Sequence, residues 1–223
     1  MIVVHHLDQS RSQRVLWLLE ELDVPYELVR YERDPATSLA PRALQEVHPL
    51  GKSPVIVDGD QTIAESAAIL EYLVETYGGE RFVPPAGTPA YRHYRYFMHY
   101  AEGSLAPFLV LDMICDKIRA APVPFFIKPV SRKIGGMLAA QYVNPNLARH
   151  IAFLDAHLAA HPYFAGDELS CADIQMSYAL ETIVARVRAV EVPPRLFDYV
   201  KRIQARPAYQ RALSRGGQPA VAG

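Results

Sequence analysis

Ser10 and Arg14 stand four residues apart where a β-branched apolar run, Ile2 to Leu7, gives way to a helical one. A hydroxyl at a helix N-terminus can donate to a thiolate, and the helix dipole favours the same negative charge. Both effects lower a thiol pKa from its free value of about 8.5. The same serine suits a plain helix cap, and Ser12 offers a second hydroxyl two residues on. Pro49-Leu-Gly-Lys-Ser-Pro-Val-Ile56 forms a second group. A proline opening a strand removes a ladder donor, so Ser53-Pro54 is a candidate cis bond, with a plain trans turn as the alternative. A cis bond there would expose the Ser53 N–H and C=O for antiparallel pairing with a peptide-like ligand. Lys52 beside it suits a carboxylate, or is simply solvated. The third group is Glu65-Ser66, where a strand hands over to a helix. The Ser66 hydroxyl and the first free helical N–H groups suit an α-carboxylate, and Glu65 suits the adjacent α-ammonium, although capping alone also explains Ser66. One acid, one hydroxyl and a helix end make a site for an amino-acid head group.

Positioning these groups takes alternating strands and helices. Ile2 to Leu7 reads as a buried strand, and Val15, Leu18, Leu19 and Leu22 then share one helical face. Tyr26 to Tyr31 reads as a second strand, Pro41 to Val47 as a short helix, and Pro54 to Val57 with Gln61 to Ile63 as a hairpin around Asp58-Gly59-Asp60. Glu65 to Tyr77 carries an apolar stripe that Gly78-Gly79 stops. The order β-α-β-α-β-β-α predicts a four-stranded mixed sheet with helices on both faces, over residues 1–79. Residues 80–89 read as a linker, 90–212 as an all-helical bundle of about five helices broken at prolines, and 213–223 as a frayed tail. Within the second domain, Ser170 and Asp173 have the spacing of a capping box with Leu169 stapled to Ile174, a stabilising role without chemistry.

Composition excludes several function classes. Of 223 residues, 23 Lys and Arg oppose 24 Asp and Glu, a net charge of -1 that provides no overall field for nucleic acid or an acidic membrane. Cys115 and Cys171 stand far apart with no CxxC, so neither a zinc ribbon nor a dithiol centre can be built from them, and a reducing cytoplasm is the expected setting. The sequence has no apparent signal peptide and no apolar run near the roughly 20 residues of a membrane span. His5 and His6 alternate across a strand and cannot chelate together, and His157 and His161 have helical i, i+4 spacing but no evident third ligand, so no metal is expected. The Tyr91 to Tyr100 aromatic cluster reads as core or interface.

Taken in order, the three groups resemble the glutathione site of the soluble glutathione transferases, and the likeness spans nearly the whole chain. The N-terminal unit is similar to that family's thioredoxin-like domain, the remainder to its all-helical domain, and Gly166-Asp-Glu-Leu-Ser-Cys-Ala-Asp-Ile174 to its helix-start motif. Leu16-Trp-Leu-Leu-Glu-Glu-Leu22 looks most like the serine-type bacterial and fungal members. Arg11 stands where many such members have proline after the serine, which leaves Ser12 as an alternative to Ser10. The resemblance implies an enzyme of α/β plus all-α architecture that conjugates glutathione, its co-substrate, to small hydrophobic electrophiles, with hydroperoxide reduction as a possible side activity. It further implies detoxification by a cytoplasmic homodimer with no nucleic-acid or membrane partner. The catalytic residue would be Ser10. Lys52, Ser53, Pro54, Glu65 and Ser66 would bind glutathione. The resemblance places a second-substrate pocket near Tyr100, Ser104, Phe108 and Cys115, and a cross-subunit contact at Glu102. The alternatives are a non-catalytic binding protein of the same fold, or another glutathione-dependent enzyme such as an isomerase or dehalogenase.

Overall fold

Residues 1–217 are described by the computed structural model. β1 (Ile2–Leu7) is the hub of the sheet: it pairs in parallel with β2 (Tyr26–Tyr31) and antiparallel with β3 (Val55–Asp58), which pairs antiparallel with β4 (Gln61–Ala64). The order is β2-β1-β3-β4. Between the strands lie α1 (Gln13–Leu22) and the short α2 (Ala43–Val47), and after them α3 (Ser66–Leu73), extended by a wide π-helical turn to Gly78. The mixed sheet followed by a helical domain is the architecture expected from the sequence.

Beyond the first domain the chain is helical in seven segments: α4 (Pro89–Tyr100), α5 (Ala106–Arg119), α6 (Lys128–Leu138), α7 (Asn144–Ala160), α8 (Cys171–Arg186), α9 (Pro194–Gln204) and α10 (Pro207–Gly216). π-Helical turns at Ala101–Leu105 and Ala139–Val143 join α4 to α5 and α6 to α7 without a break, so the segments make five continuous helices, as expected. The breaks differ from those expected: Pro107 and Pro145 follow a π-helical turn inside a continuous helix, which accommodates the lost N–H, whereas Pro129, Pro194 and Pro207 sit in the first turn of a helix, where proline loses no hydrogen bond. The expected tail also changes: residues 213–216 are the last turn of α10, and the rest of it, 218–223, lies outside the described residues. No helix among the described residues is long and apolar enough to cross a membrane.

What positions the site is the burial of α1 on every side. Leu16, Trp17, Leu18 and Leu19 are all buried although they point in different directions, because α1 packs against α3 of its own domain and α8 and α10 of the second. The Trp17 ring meets Tyr209 edge-on at 5.2 Å, and its indole N–H donates to Glu21 at 2.9 Å. Arg206, just before α10, and Arg211 within it pair with Glu21 and Glu20 of α1. The end of α10 is packed without spare room: a Cβ on Gly216 would come within 2.5 Å of Leu16 Cδ1. In the second domain Ser170 and Asp173 form the expected capping box, and Asp173 is fully buried. Its carboxylate also accepts from Phe164 N at 2.9 Å and Tyr199 OH at 2.6 Å, tying the loop before α8 to α9. The linker is pinned there too, since Cys171 N donates to Phe82 O.

Candidate active site

Register brings the three groups together. His5 of β1 lies opposite Val55 of β3, and Val55 opposite Ala64 of β4. This row is the last in which β1, β3 and β4 all pair; β1 runs on beside β2 as far as Leu7. Beyond it the chain leaves β1 toward Ser10, enters β3 from Ser53-Pro54, and leaves β4 into Glu65-Ser66. Residues separated by more than fifty positions therefore share one edge, the end at which open α/β sheets place their ligands.

Ser53 is both clamp and presenter. Its Oγ donates to His5 O at 2.9 Å and accepts from Leu7 N at 3.1 Å, which fastens the loop to the end of β1. The Ser53–Pro54 bond is cis. Among the described residues neither the N–H nor the C=O of Ser53 is engaged, so both are open to an extended ligand. Lys52 is exposed and makes no ion pair among the described residues. Glu65 adopts φ 74°, ψ 125°, outside the helical and left-handed wells. Such a conformation costs roughly 1–3 kcal/mol and is concentrated at ligand sites. It sets the exposed Glu65 carboxylate beside the buried Ser66 at the start of α3.

The two candidate hydroxyls differ in surroundings. Ser12 is wholly buried. Its Oγ lies 2.7 Å from Ser10 Oγ, 2.8 Å from His6 Nδ1 and 3.4 Å from Leu7 O. The other His6 nitrogen lies 2.9 Å from Gly216 O, which can only accept, so Nε2 carries the proton and Nδ1 accepts from Ser12. Burial holds His6 below the usual histidine pKa, against the raising effect of the Gly216 carbonyl, in keeping with this neutral form. Ser12 in turn accepts from Ser10. Ser10 retains 8% exposure, and its oxygen is steadied by Ser12 N–H at 3.2 Å. The sequence shows His6 only as a residue that cannot chelate with His5 and shows nothing of its bond to Gly216, because no local pattern links a strand histidine to a glycine 210 residues later.

Arg14 is the buried counterpart of Ser10. Its guanidinium donates to Glu102 Oε1 at 2.5 Å and to Gln175 Oε1 at 3.4 Å, and lies 5.6 Å from the Tyr178 ring centroid. Arg11 holds the other Glu102 oxygen. Both carboxylate oxygens of Glu102 are thus engaged within its own chain, in a bridge between the domains. Burial alone would raise the Glu102 carboxyl, but Arg14 and Arg11 outweigh it and hold it below the usual range.

Above this bridge opens an interdomain cleft of about 270 Å³, walled by Arg11 of the α1 turn, by Leu109, Val110 and Met113 of α5, and by Tyr178 and Thr182 of α8. None of the four residues expected to form the second pocket lines it. Tyr100 is buried with its hydroxyl 2.5 Å from His150 Nδ1, Phe108 packs near Tyr142 and His150, and Cys115 is buried where α6 crosses α5. Ser104 is exposed in the π-helical turn before α5. Phe108 and Cys115, seven residues apart, share the α5 face turned toward α6 and α7, whereas Leu109 and Met113 share the face turned to the cleft. The phase of that helix was the missed signal. At the far side of the second domain, His93 joins His157 and His161 with ring centroids 4.9–5.2 Å apart. Even so, among the described residues no cluster is disposed to hold a metal ion.

Comparison with known proteins relates both domains to one family. Residues 1–75 match the family described as Glutathione S-transferase, N-terminal domain, and residues 131–213 the Glutathione S-transferase, C-terminal domain. The chain is 38% identical over 180 residues to Glutathione S-transferase 3 of Schizosaccharomyces pombe, covering 81% of this chain and 73% of that protein. It is 31% identical over 217 residues to Glutathione S-transferase 1 of Saccharomyces cerevisiae, covering 94% and 92%. A glutathione S-transferase crystal structure from Actinobacillus pleuropneumoniae superposes with a TM-score of 0.81 at 30% identity, over 99% of this chain and 94% of that one. With two domain matches, relatives covering nearly the whole chain and the three groups on one sheet edge, the chain belongs to the glutathione S-transferase family, enzymes that use glutathione as co-substrate.

Proposed function

We propose that this glutathione transferase activates its co-substrate through Ser10 and conjugates it to small apolar electrophiles in the interdomain cleft. The observation that carries the residue assignment is the shared register row, beyond which Ser10, Ser53 and Glu65 all emerge. Glutathione laid along this edge pairs its cysteinyl backbone with the Ser53 N–H and C=O. The γ-glutamyl head then meets Glu65 and Ser66, and the glycyl carboxylate meets Lys52. The thiolate faces Ser10, whose proton turns from the neutral Ser12 oxygen to the stronger anionic acceptor while Ser12 N–H keeps the oxygen in place. The sulfur lone pair forms the new S–C bond, and the leaving group or acceptor carbon takes the displaced electron pair. Leu109, Val110 and Met113 suit an apolar electrophile, with Arg11 at the mouth for a polar substituent. The working unit is a cytoplasmic homodimer, as is typical of the family. Calorimetric titration of glutathione into the protein tests the assignment. Wild type should bind, and Glu65→Ala should weaken binding at least tenfold. No heat at millimolar glutathione, or unchanged affinity in that variant, overturns it.

A further inference from the structure

The buried chain behind Ser10 holds as many hydrogens as it has gaps. Ser10 Oγ lies 2.7 Å from Ser12 Oγ, and Ser12 Oγ lies 2.8 Å from His6 Nδ1, so each pair of lone-pair atoms needs a hydrogen between them. With His6 Nε2–H held on the Gly216 carbonyl, the Ser10 and Ser12 hydrogens fill those two gaps, both pointing inward. A thiolate on Ser10 opens a third gap. Ser10 then turns its hydrogen outward, Ser12 turns its own to Ser10, and His6 Nδ1 is left facing the Ser12 oxygen with nothing between them. Turning Ser12 to the Leu7 carbonyl, 3.4 Å away, would leave two gaps empty instead of one. No water fits between atoms 2.8 Å apart, and both residues are buried. The chain therefore lacks one hydrogen whenever the thiol is ionised, and the thiol itself carries one.

We propose that His6 takes the proton of the glutathione thiol through Ser10 and Ser12, an inference that rests on the assignment of Ser10 above. The thiol passes its proton to Ser10 Oγ, Ser10 its own to Ser12 Oγ, and Ser12 its own to His6 Nδ1. The S–H bond breaks, the Nδ1–H bond forms, and each O–H bond is broken and remade, so the net charge of the site is unchanged. All three gaps then hold a hydrogen, now pointing outward, and Ser10 donates to the thiolate. Once the S–C bond has formed, the proton returns along the same chain to the anion produced from the electrophile. His6 touches no substrate and is a positioning residue that stores the proton. Among the described residues, the charged groups facing it are Asp8, with Oδ1 3.9 Å from Nε2, and Arg30 of β2, which is itself paired with Asp8. From α1 it meets the uncharged Ser12 and Gln13, and from α10 the Gly216 carbonyl. Burial keeps the imidazole neutral in the free enzyme, and a thiolate two hydroxyls away supplies the negative charge that favours its cation.

Proton release on binding tests this. Glutathione is titrated calorimetrically into the enzyme at near-neutral pH, in buffers of different ionisation enthalpy, and the thiolate is read from its ultraviolet band on the same samples. S-methylglutathione, which has no thiol, corrects for protons moved by other groups. Wild type should form the thiolate while releasing far less than one proton for each. His6→Asn keeps an amide oxygen that accepts from Ser12 but takes no proton, and Ser12→Ala interrupts the chain, so each should release about one proton per thiolate. Because release is counted per thiolate formed, an unfolded fraction of either variant leaves the ratio unchanged. Full release by wild type, or retention by either variant, overturns the relay and leaves the Ser10 assignment standing. Absence of glutathione binding, or a thiolate band unmoved by Ser10→Ala, overturns that assignment and the relay with it.

Discussion

Replacing Ser10 with alanine removes the hydroxyl assigned to the thiolate while leaving Ser12, His6 and Gly216 in place. A hydrogen bond to a charged group contributes about 1.5–3 kcal/mol. At 1.36 kcal/mol per unit, losing it raises the bound thiol pKa by roughly one to two units. Below that pKa the thiolate fraction falls by about ten- to a hundredfold, but a more basic thiolate is also a better nucleophile, with a Brønsted slope near 0.4–0.5. The net loss of kcat/KM at neutral pH is therefore roughly three- to sixteenfold, recovering as pH rises through the new pKa. Ser12→Ala should behave differently. Its hydroxyl is buried between Ser10, His6 and Leu7, so removing it leaves His6 Nδ1 without a donor. That costs about 1–3 kcal/mol of stability, or roughly 2–4 °C of Tm per kcal/mol for a chain of this size. The assays are the pH profile of conjugation with a chromogenic electrophile, the ultraviolet thiolate band of bound glutathione, and thermal denaturation. The reasoning is refuted if Ser12→Ala displaces the acid limb of the profile while Ser10→Ala leaves it unmoved.

Two further outcomes follow from the packing between and within domains. Glu102→Ala leaves the buried Arg14 guanidinium without its carboxylate and should cost about 3 kcal/mol in chemical denaturation. Because the folded Glu102 pKa lies below its unfolded value near 4.5, the folded state binds fewer protons there. The pair's contribution is thus complete above that pH and lost as pH falls through it, so the stability of Glu102→Gln should decline less steeply on acidification than that of wild type. Asp173→Ala removes the acceptor of Ser170 N, Phe164 N and Tyr199 OH at once and should destabilise by roughly 3–5 kcal/mol, whereas Ser170→Ala should cost nearer 1 kcal/mol. Equal losses in the two variants would show that Asp173 acts only as a cap.

Local chemistry made the first domain readable, and one helix start in the second. The strand starting at Ile2, the hairpin at Asp58-Gly59-Asp60, the cis bond at Pro54 and the capping box at Ser170 each follow from a few neighbouring residues, and the structure has all of them. The second domain was harder, because proline at the first turn of a helix, proline after a π-helical turn and proline beyond a helix look alike in a sequence, so Pro107 and Pro145 read as breaks although the helix runs through them. The cleft was misplaced for a related reason. Tyr100, Phe108 and Cys115 are apolar in the right region, but whether a residue on α5 faces the cleft or α6 depends on the rotation of the helix, and that is set by what packs against it.

The sequence by itself determined the order of the elements and the position of the three groups at strand–helix junctions, since both follow from local alternation, capping and turn chemistry. The tertiary structure alone decided the rest. It brought the final turn of α10 back beneath β1, so that Gly216 O fixes the tautomer of His6 and, through Ser12, the setting of Ser10. It turned Glu102 inward onto Arg11 and Arg14. These pairings join residues as far apart as 210 positions. Their partners are chosen by packing, which no local pattern encodes.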